Sequence, residues 1–111
     1  MNPEADMKAR AIDLKSHIEY SSGSVVSKTI VEKKTGSLTL FSFDKGQGLS
    51  EHTSPYDAVV QILEGAAELV IGGQPISAAE GQLVIMPAQV PHSVRAVAPF
   101  KMMLIMIRSE G

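Results

Sequence analysis

The sequence contains no cysteine, which excludes disulfide bonds, thiolate metal ligands and a cysteine nucleophile. The net charge is also small: its formal value is −2, and no basic run is interleaved with aromatic residues. Electrostatics therefore favour neither nucleic acid nor an anionic membrane as a partner. The longest apolar run, Met102 to Ile107, is far too short to span a bilayer. We expect no nucleic-acid partner and no membrane partner.

The N-terminus lacks a basic stretch followed by an apolar segment, the pattern of a secretory signal peptide. The missing cysteines also fit a reducing compartment, so a cytoplasmic location is the simplest interpretation. The chain has 111 residues, of which 44% are hydrophobic and 20% are charged. This length and composition are typical of one compact domain with a single core.

Residues 1–23 are expected to form an N-terminal extension. Ala5 to Lys15 could form a short helix, although a tail fits its weak periodicity equally well. From residue 24 onward, short segments rich in β-branched residues alternate with Gly or Pro, which is typical of an all-β sandwich or barrel. The predicted strands are Val25–Val31, Leu38–Phe43, Leu49–Thr53, Ala58–Leu63, Ala67–Ile71, Pro75–Ala78, Leu83–Met86, His92–Ala96 and Phe100–Ile107.

Glycines mark two of the predicted hairpins. Gly72 and Gly73 lie between two strands, where positive φ angles suit a tight turn. Gly65 follows the strand that ends at Leu63, and we expect that turn to need the backbone freedom of glycine.

Two histidines lie in segments with a recognisable spacing. The first segment reads Gly46-Gln-Gly-Leu-Ser-Glu-His52-Thr-Ser54 and continues to Gly65, and the second reads Gly81-Gln-Leu-Val-Ile-Met-Pro87-Ala-Gln-Val-Pro-His92. They resemble the two motifs of the cupin superfamily. The first motif is G, five residues, H-x-H, three or four residues, E, six residues, G. The second is G, five residues, P-x-G, two residues, H, three residues, N.

The chain is thus similar to short single-domain bacterial cupins of uncharacterised function. The resemblance implies a double-stranded β-helix, or jelly-roll barrel, over residues 24–111. It also implies a homodimer, because an N-terminal strand such as Val25 to Val31 adds to the partner's sheet in many small cupins and so covers an exposed edge.

The departures from the motifs bear on function. Family ligands usually comprise three histidines and one glutamate, and only His52 and His92 carry over. The replacements are Ser54 for the second histidine, Ala58 for the glutamate, Gln89 for the second-motif glycine and Ala96 for the asparagine. Two imidazoles could hold Zn, Fe, Ni, Mn or Cu with water or substrate as further ligands, but a stable site normally has three or four protein ligands.

Strand-borne histidines in a barrel could converge on one cavity, and Met86 lies on a strand where methionine could line an apolar pocket. The predicted ligand-binding residues are His52, Ser54, Ala58, Met86 and His92, with His52 and His92 as the candidate metal ligands. Tyr56 and Asp57 either assist a histidine in metal-free acid–base catalysis or cover the barrel mouth and cap a turn.

Three functions remain open at this point. Small-molecule binding in the cavity fits the incomplete ligand set best. A metal-dependent enzyme, of dioxygenase or isomerase type, would use the two histidines plus water or substrate. A purely structural or interaction module is the third, although no partner motif supports it.

Overall fold

Antiparallel strands make up almost all of the regular structure in the computed structural model, which describes residues 7–108. The strands are β1 Val25–Lys33, β2 Gly36–Phe43, β3 Gly48–His52, β4 Asp57–Glu64, β5 Ala66–Ile71, β6 Gln74–Ala79, β7 Leu83–Met86, β8 His92–Arg95 and β9 Phe100–Ile107. They form a five-stranded sheet of order β1-β2-β9-β4-β7 and a four-stranded sheet of order β3-β8-β5-β6. The all-β jelly-roll barrel expected from the sequence is confirmed, and each predicted strand is present.

Alternation along the strands builds the core between the two sheets. In β4, Ala58, Val60 and Ile62 point inward and are no more than 1% exposed, because successive side chains in a strand face opposite ways. Phe43 of β2 and Phe100 of β9 stack at one end, with ring centroids 4.5 Å apart. Ala58, Val60 and Ile62 therefore face the barrel interior, and Gln61 lies on the opposite face of β4.

The hairpin between β4 and β5 turns at Gly65, whose φ of +76° lies in the left-handed region. A Cβ atom there would approach the carbonyl oxygen of Pro99 to 2.8 Å. Two features of this turn therefore require glycine at residue 65: the positive φ angle and the lack of space for a Cβ atom. Gly72 and Gly73 between β5 and β6 also have positive φ, so both predicted glycine hairpins are confirmed.

The segment before β1 packs against the barrel. Residues 8–9 and 14–17 form turns and residues 11–13 have no regular structure, while Ala5 and Asp6, the start of the stretch considered for a helix, lie outside the described residues. We call residues 7–20 the N-terminal arm. Ile18 of the arm is 3% exposed and packs with Ile30, Leu40 and Leu63 in a second apolar cluster. Leu40 alternates with the inward Phe41 and Phe43, so the arm covers the outer face of the five-stranded sheet.

Backbone carbonyls of the arm accept hydrogen bonds from that same outer face. The buried Ser42 hydroxyl donates to the Glu19 carbonyl at 2.8 Å, and the Lys101 ammonium donates to the Lys15 carbonyl at 2.6 Å. These bonds satisfy polar groups that the apolar cluster would otherwise leave buried without partners. No helix in residues 7–108 is long and apolar enough to cross a membrane.

Candidate functional site

His52 and His92 are direct neighbours across a pair of strands. His52 ends β3, His92 begins β8, and the antiparallel register pairs the two residues. Their ring centroids lie 4.4 Å apart with an interplanar angle of 70°, an edge-to-face contact. The structure thus brings together the two histidines that the sequence singles out.

Backbone carbonyls orient both imidazole rings. His52 Nδ1 lies 2.7 Å from the Ser50 carbonyl oxygen, and His92 Nδ1 lies 3.1 Å from that of Val90. Because a carbonyl oxygen only accepts, each Nδ1 must carry the hydrogen, and in the neutral ring Nε2 then carries the lone pair. Within residues 7–108 neither Nε2 atom has a hydrogen-bond partner.

The two histidines differ in exposure. His52 is exposed to solvent, whereas His92 is only 3% exposed. Burial lowers the pKa of His92 below its usual value, the Val90 carbonyl opposes this effect, and the nearby charge of His52 adds to it. The lowered pKa favours the neutral form of the His92 imidazole.

A cavity of about 200 Å³ lies beside the two rings. Its walls come from both sheets and consist of Leu49, His52, Ser54, Ala58, Met86, His92, Val94, Met102, Leu104 and Met106. All five predicted ligand-binding residues lie on these walls. The sequence did not predict the other five wall residues, which are Leu49, Val94, Met102, Leu104 and Met106. Strand alternation from His92 would have pointed to Val94, and alternation along β9 relates Met102, Leu104 and Met106, whereas the irregularity in β3 puts Leu49 out of step with His52.

Ala58 lies between two methionines. The ladder pairs Ala58 with Met86 of β7 on one side and with Met106 of β9 on the other, and all three residues line the cavity. Thioethers and a methyl group therefore occupy the region where the cupin pattern would place its glutamate. The cavity wall has no carboxylate there.

Ser54 and Asp57 tie together the two loops at the cavity mouth. The Ser54 hydroxyl accepts from the Tyr56 backbone N–H at 3.1 Å, and the Ser54 carbonyl accepts from the Gln89 N–H at 2.8 Å. Asp57 Oδ1 accepts from the Ala88 N–H at 2.9 Å. Neither Tyr56 nor Asp57 lines the cavity. Their contacts fit the roles of mouth cover and turn cap better than that of a catalytic partner.

Gln89 adopts a φ of 65°, an uncommon conformation for a residue other than glycine. It stands where the second cupin motif has its glycine. The turn has thus kept the backbone shape that glycine would favour while the side chain has changed.

Residues 39–108 match the profile of the cupin domain family. The chain is a cupin. A conserved protein of unknown function from Streptococcus pyogenes is 39% identical, with a TM-score of 0.88 over 93% of this chain and 90% of the other. A cupin superfamily protein from Desulfitobacterium hafniense is 27% identical, with a TM-score of 0.86 over 92% and 94% of the two chains.

A cupin 2 conserved barrel domain protein from Leptotrichia buccalis is 36% identical, with a TM-score of 0.85 over 87% of this cupin. The match spans only 47% of that protein. No protein of curated function matches this cupin at a significant level. The similarity therefore assigns the family but no function.

The usual cupin metal ligands do not fit this site. Within residues 7–108 no group of three or more His, Cys, Asp or Glu side chains is arranged to hold a metal ion. Ser54 and Ala58 replace two of the four usual ligands, which leaves the two imidazoles. A metal held by His52 and His92 alone would take the rest of its coordination shell from water or from a bound molecule.

Proposed function

We propose that this cupin binds a small, largely apolar molecule in the cavity beside His52 and His92. The supporting observation is the composition of the cavity wall: among its residues in the described part of the chain, the two histidines and Ser54 are the only polar ones, and the others are aliphatic or methionine. Binding sites for small molecules typically have this form, an apolar concave surface with a few polar groups that fix orientation.

The cavity volume limits the size of the ligand. At about 200 Å³ it exceeds the volume of about 150 Å³ at which an engineered apolar cavity accepts benzene. It is smaller than the pockets of about 300 Å³ and more that hold drug-sized molecules. The ligand is therefore of the size of a substituted six-membered ring or a short branched chain.

A metal-dependent enzyme of dioxygenase or isomerase type is the second candidate. The direct contact of the two rings favours it, since both Nε2 lone pairs are unengaged and imidazole suits Zn, Fe, Ni and Cu. Two protein ligands hold a metal less firmly than the usual three or four. The metal-dependent enzyme is therefore less well supported than small-molecule binding without a metal.

Metal analysis combined with thermal unfolding separates the two candidates. Protein purified without a nickel column is assayed for bound metal and then screened against ring-sized organic compounds. We expect no stoichiometric metal, and compounds that raise the melting temperature of the parent and of His17→Ala but not of His92→Ala. His17 belongs to the arm and serves as the matched control.

Near-stoichiometric metal that disappears in both His52→Ala and His92→Ala would favour the enzyme instead. Ala58→Leu provides a check that does not alter the histidines, because the larger side chain fills the cavity from β4. A compound whose effect survives both Ala58→Leu and His92→Ala binds elsewhere, and that result would contradict the proposal.

A further inference from the structure

The hydrogen bonds of the two histidines decide which polar group of a ligand the cavity can accept. Each Nδ1–H is already engaged by the backbone carbonyl two residues earlier in the chain. What remains for a ligand is the Nε2 lone pair, which accepts a hydrogen bond and cannot donate one while the ring is neutral. A ligand group that faces these rings must therefore bring a hydrogen.

We propose that the ligand carries a hydroxyl group and that the cavity rejects analogues in which this hydroxyl is methylated or replaced by a methyl group. The inference rests on the proposed function, because it names the chemical class of the molecule bound in the same cavity.

Ser54 distinguishes a hydroxyl from other donors. Its oxygen accepts from the Tyr56 N–H, and its own hydrogen makes no hydrogen bond within residues 7–108. The cavity wall thus offers one or two acceptors, at the histidines, and one donor, at Ser54. A hydroxyl group donates one hydrogen bond and accepts another, which matches both. An ether oxygen can accept from Ser54 but leaves the imidazole lone pairs without a partner.

Charged ligands are disfavoured by the same wall. Over residues 7–108 it contains no Lys or Arg to pair with a carboxylate and no Asp or Glu to pair with an amine. Glu51 and Arg95, the charged residues on β3 and β8, are exposed and do not line the cavity. A charged group placed among methionine and aliphatic side chains would lose its hydration without a compensating ion pair.

His92 is the main determinant of this selectivity. It is 3% exposed, so a ligand that fills the cavity without donating to Nε2 leaves a buried acceptor unsatisfied. That deficit weakens binding by roughly tenfold to a hundredfold. His52 is exposed, and water can satisfy its Nε2 when a ligand does not.

Phenol, anisole and toluene test the inference on the full chain, since they share a ring and differ at one substituent. Binding is followed through the ¹³C-methyl signals of Met86 and Met106 in the presence of a chelator, which removes any metal contribution. We expect phenol to bind at least tenfold more tightly than toluene or anisole.

His92→Asn is the decisive variant. Its side-chain amide can still donate to the Val90 carbonyl, as Nδ1 does, but it has no atom in place of Nε2. Phenol and toluene should then bind about equally, because toluene no longer leaves the Nε2 acceptor unsatisfied and phenol no longer has it as a partner, while His17→Asn behaves like the parent. Equal binding of all three probes to the parent would overturn the hydroxyl inference and leave cavity binding intact. If no probe perturbs Met86 or Met106, the proposed function itself fails.

Discussion

Each histidine at the cavity is oriented by a carbonyl of its own strand or of the turn beside it. His52 Nδ1 bonds to Ser50 and His92 Nδ1 to Val90, in both cases two positions earlier. Hydrogen bonds of this kind usually fix the orientation and the tautomer of the ring. The rings therefore need no additional acidic residue to hold them, and Tyr56 and Asp57 are free to organise the mouth.

Asp44 offers a residue-scale prediction with a defined pH dependence. Its carboxylate accepts from the Gly23 N–H at 2.6 Å and from the Lys45 N–H at 2.8 Å, and these bonds lower the pKa of Asp44 below 3.8. Because the folded-state pKa lies below the unfolded one, the stabilisation is complete above about pH 3.8 and is lost as pH falls through the folded value. We expect Asp44→Asn to be less stable than the parent near neutral pH and nearly equal to it in strong acid.

Urea unfolding of both proteins across this pH range provides the measurement. Glu51→Gln, at an exposed position on β3, is the matched control for the loss of one surface carboxylate. A stability deficit of Asp44→Asn that stays constant down to strong acid would mean that the two backbone hydrogen bonds do not depend on the charge of Asp44.

At the scale of elements, the N-terminal arm behaves as part of the barrel. Ile18 completes the apolar cluster on the outer face of the five-stranded sheet. Tyr20 reaches β4, where its hydroxyl donates to Glu64 at 2.5 Å. The Lys101 ammonium lies 4.9 Å from the centre of the Tyr20 ring. The arm thus covers the sheet face that looks away from the cavity.

The hairpin at Gly65 gives a prediction at the same scale. Gly65→Val should lower the free energy of unfolding by roughly 3 kcal/mol, from the cost of positive φ and from the clash with Pro99. Gly73→Val is the control: its φ is +82°, but a Cβ atom there meets nothing within 4 Å. It should therefore cost only the conformational part, roughly 1–2 kcal/mol.

Chemical denaturation of the two variants measures the difference. Equal losses would show that the contact between residue 65 and Pro99 relaxes at little cost, and that only backbone conformation requires glycine at this turn.

The strands could be predicted because their signals are local: apolar and polar residues alternate within each strand, and glycines lie in the turns. The location of the cavity was predicted from the cupin motif spacing, which indicated that His52 and His92 belong together. The packing of the arm could not be predicted, because Ile18 lies outside any periodic pattern and its partners are distant in sequence. The Nδ1 hydrogen bonds depend on side-chain rotamers, which no residue spacing encodes.

At the scale of the whole molecule, both edges of the five-stranded sheet are unpaired within the described chain. β1 pairs only with β2, and β7 pairs only with β4. On β7, Leu83 and Ile85 are 53% and 60% exposed. An unpaired edge exposes backbone donors and acceptors that a second chain can satisfy.

We expect a homodimer in which β1 extends the partner's sheet. Light scattering should give twice the 11.8 kDa mass of one chain. Hydrogen exchange should show protection of the β1 amides that do not bond to β2, while the free edge amides of β7 exchange fast. A monomer would contradict this expectation. A dimer that dissociates on the substitution Ile85→Lys would show that the interface lies at β7 and not at β1.

The position of Ala58 between Met86 and Met106 has an evolutionary consequence. A single base change can convert an alanine codon into a glutamate codon, so an ancestral or future carboxylate here is one mutational step away. Without a cation, that carboxylate would be buried against thioethers at a considerable energetic cost. A glutamate at residue 58 would therefore make the cavity depend on a bound cation, whereas alanine leaves this part of the wall uncharged whether or not a cation is present.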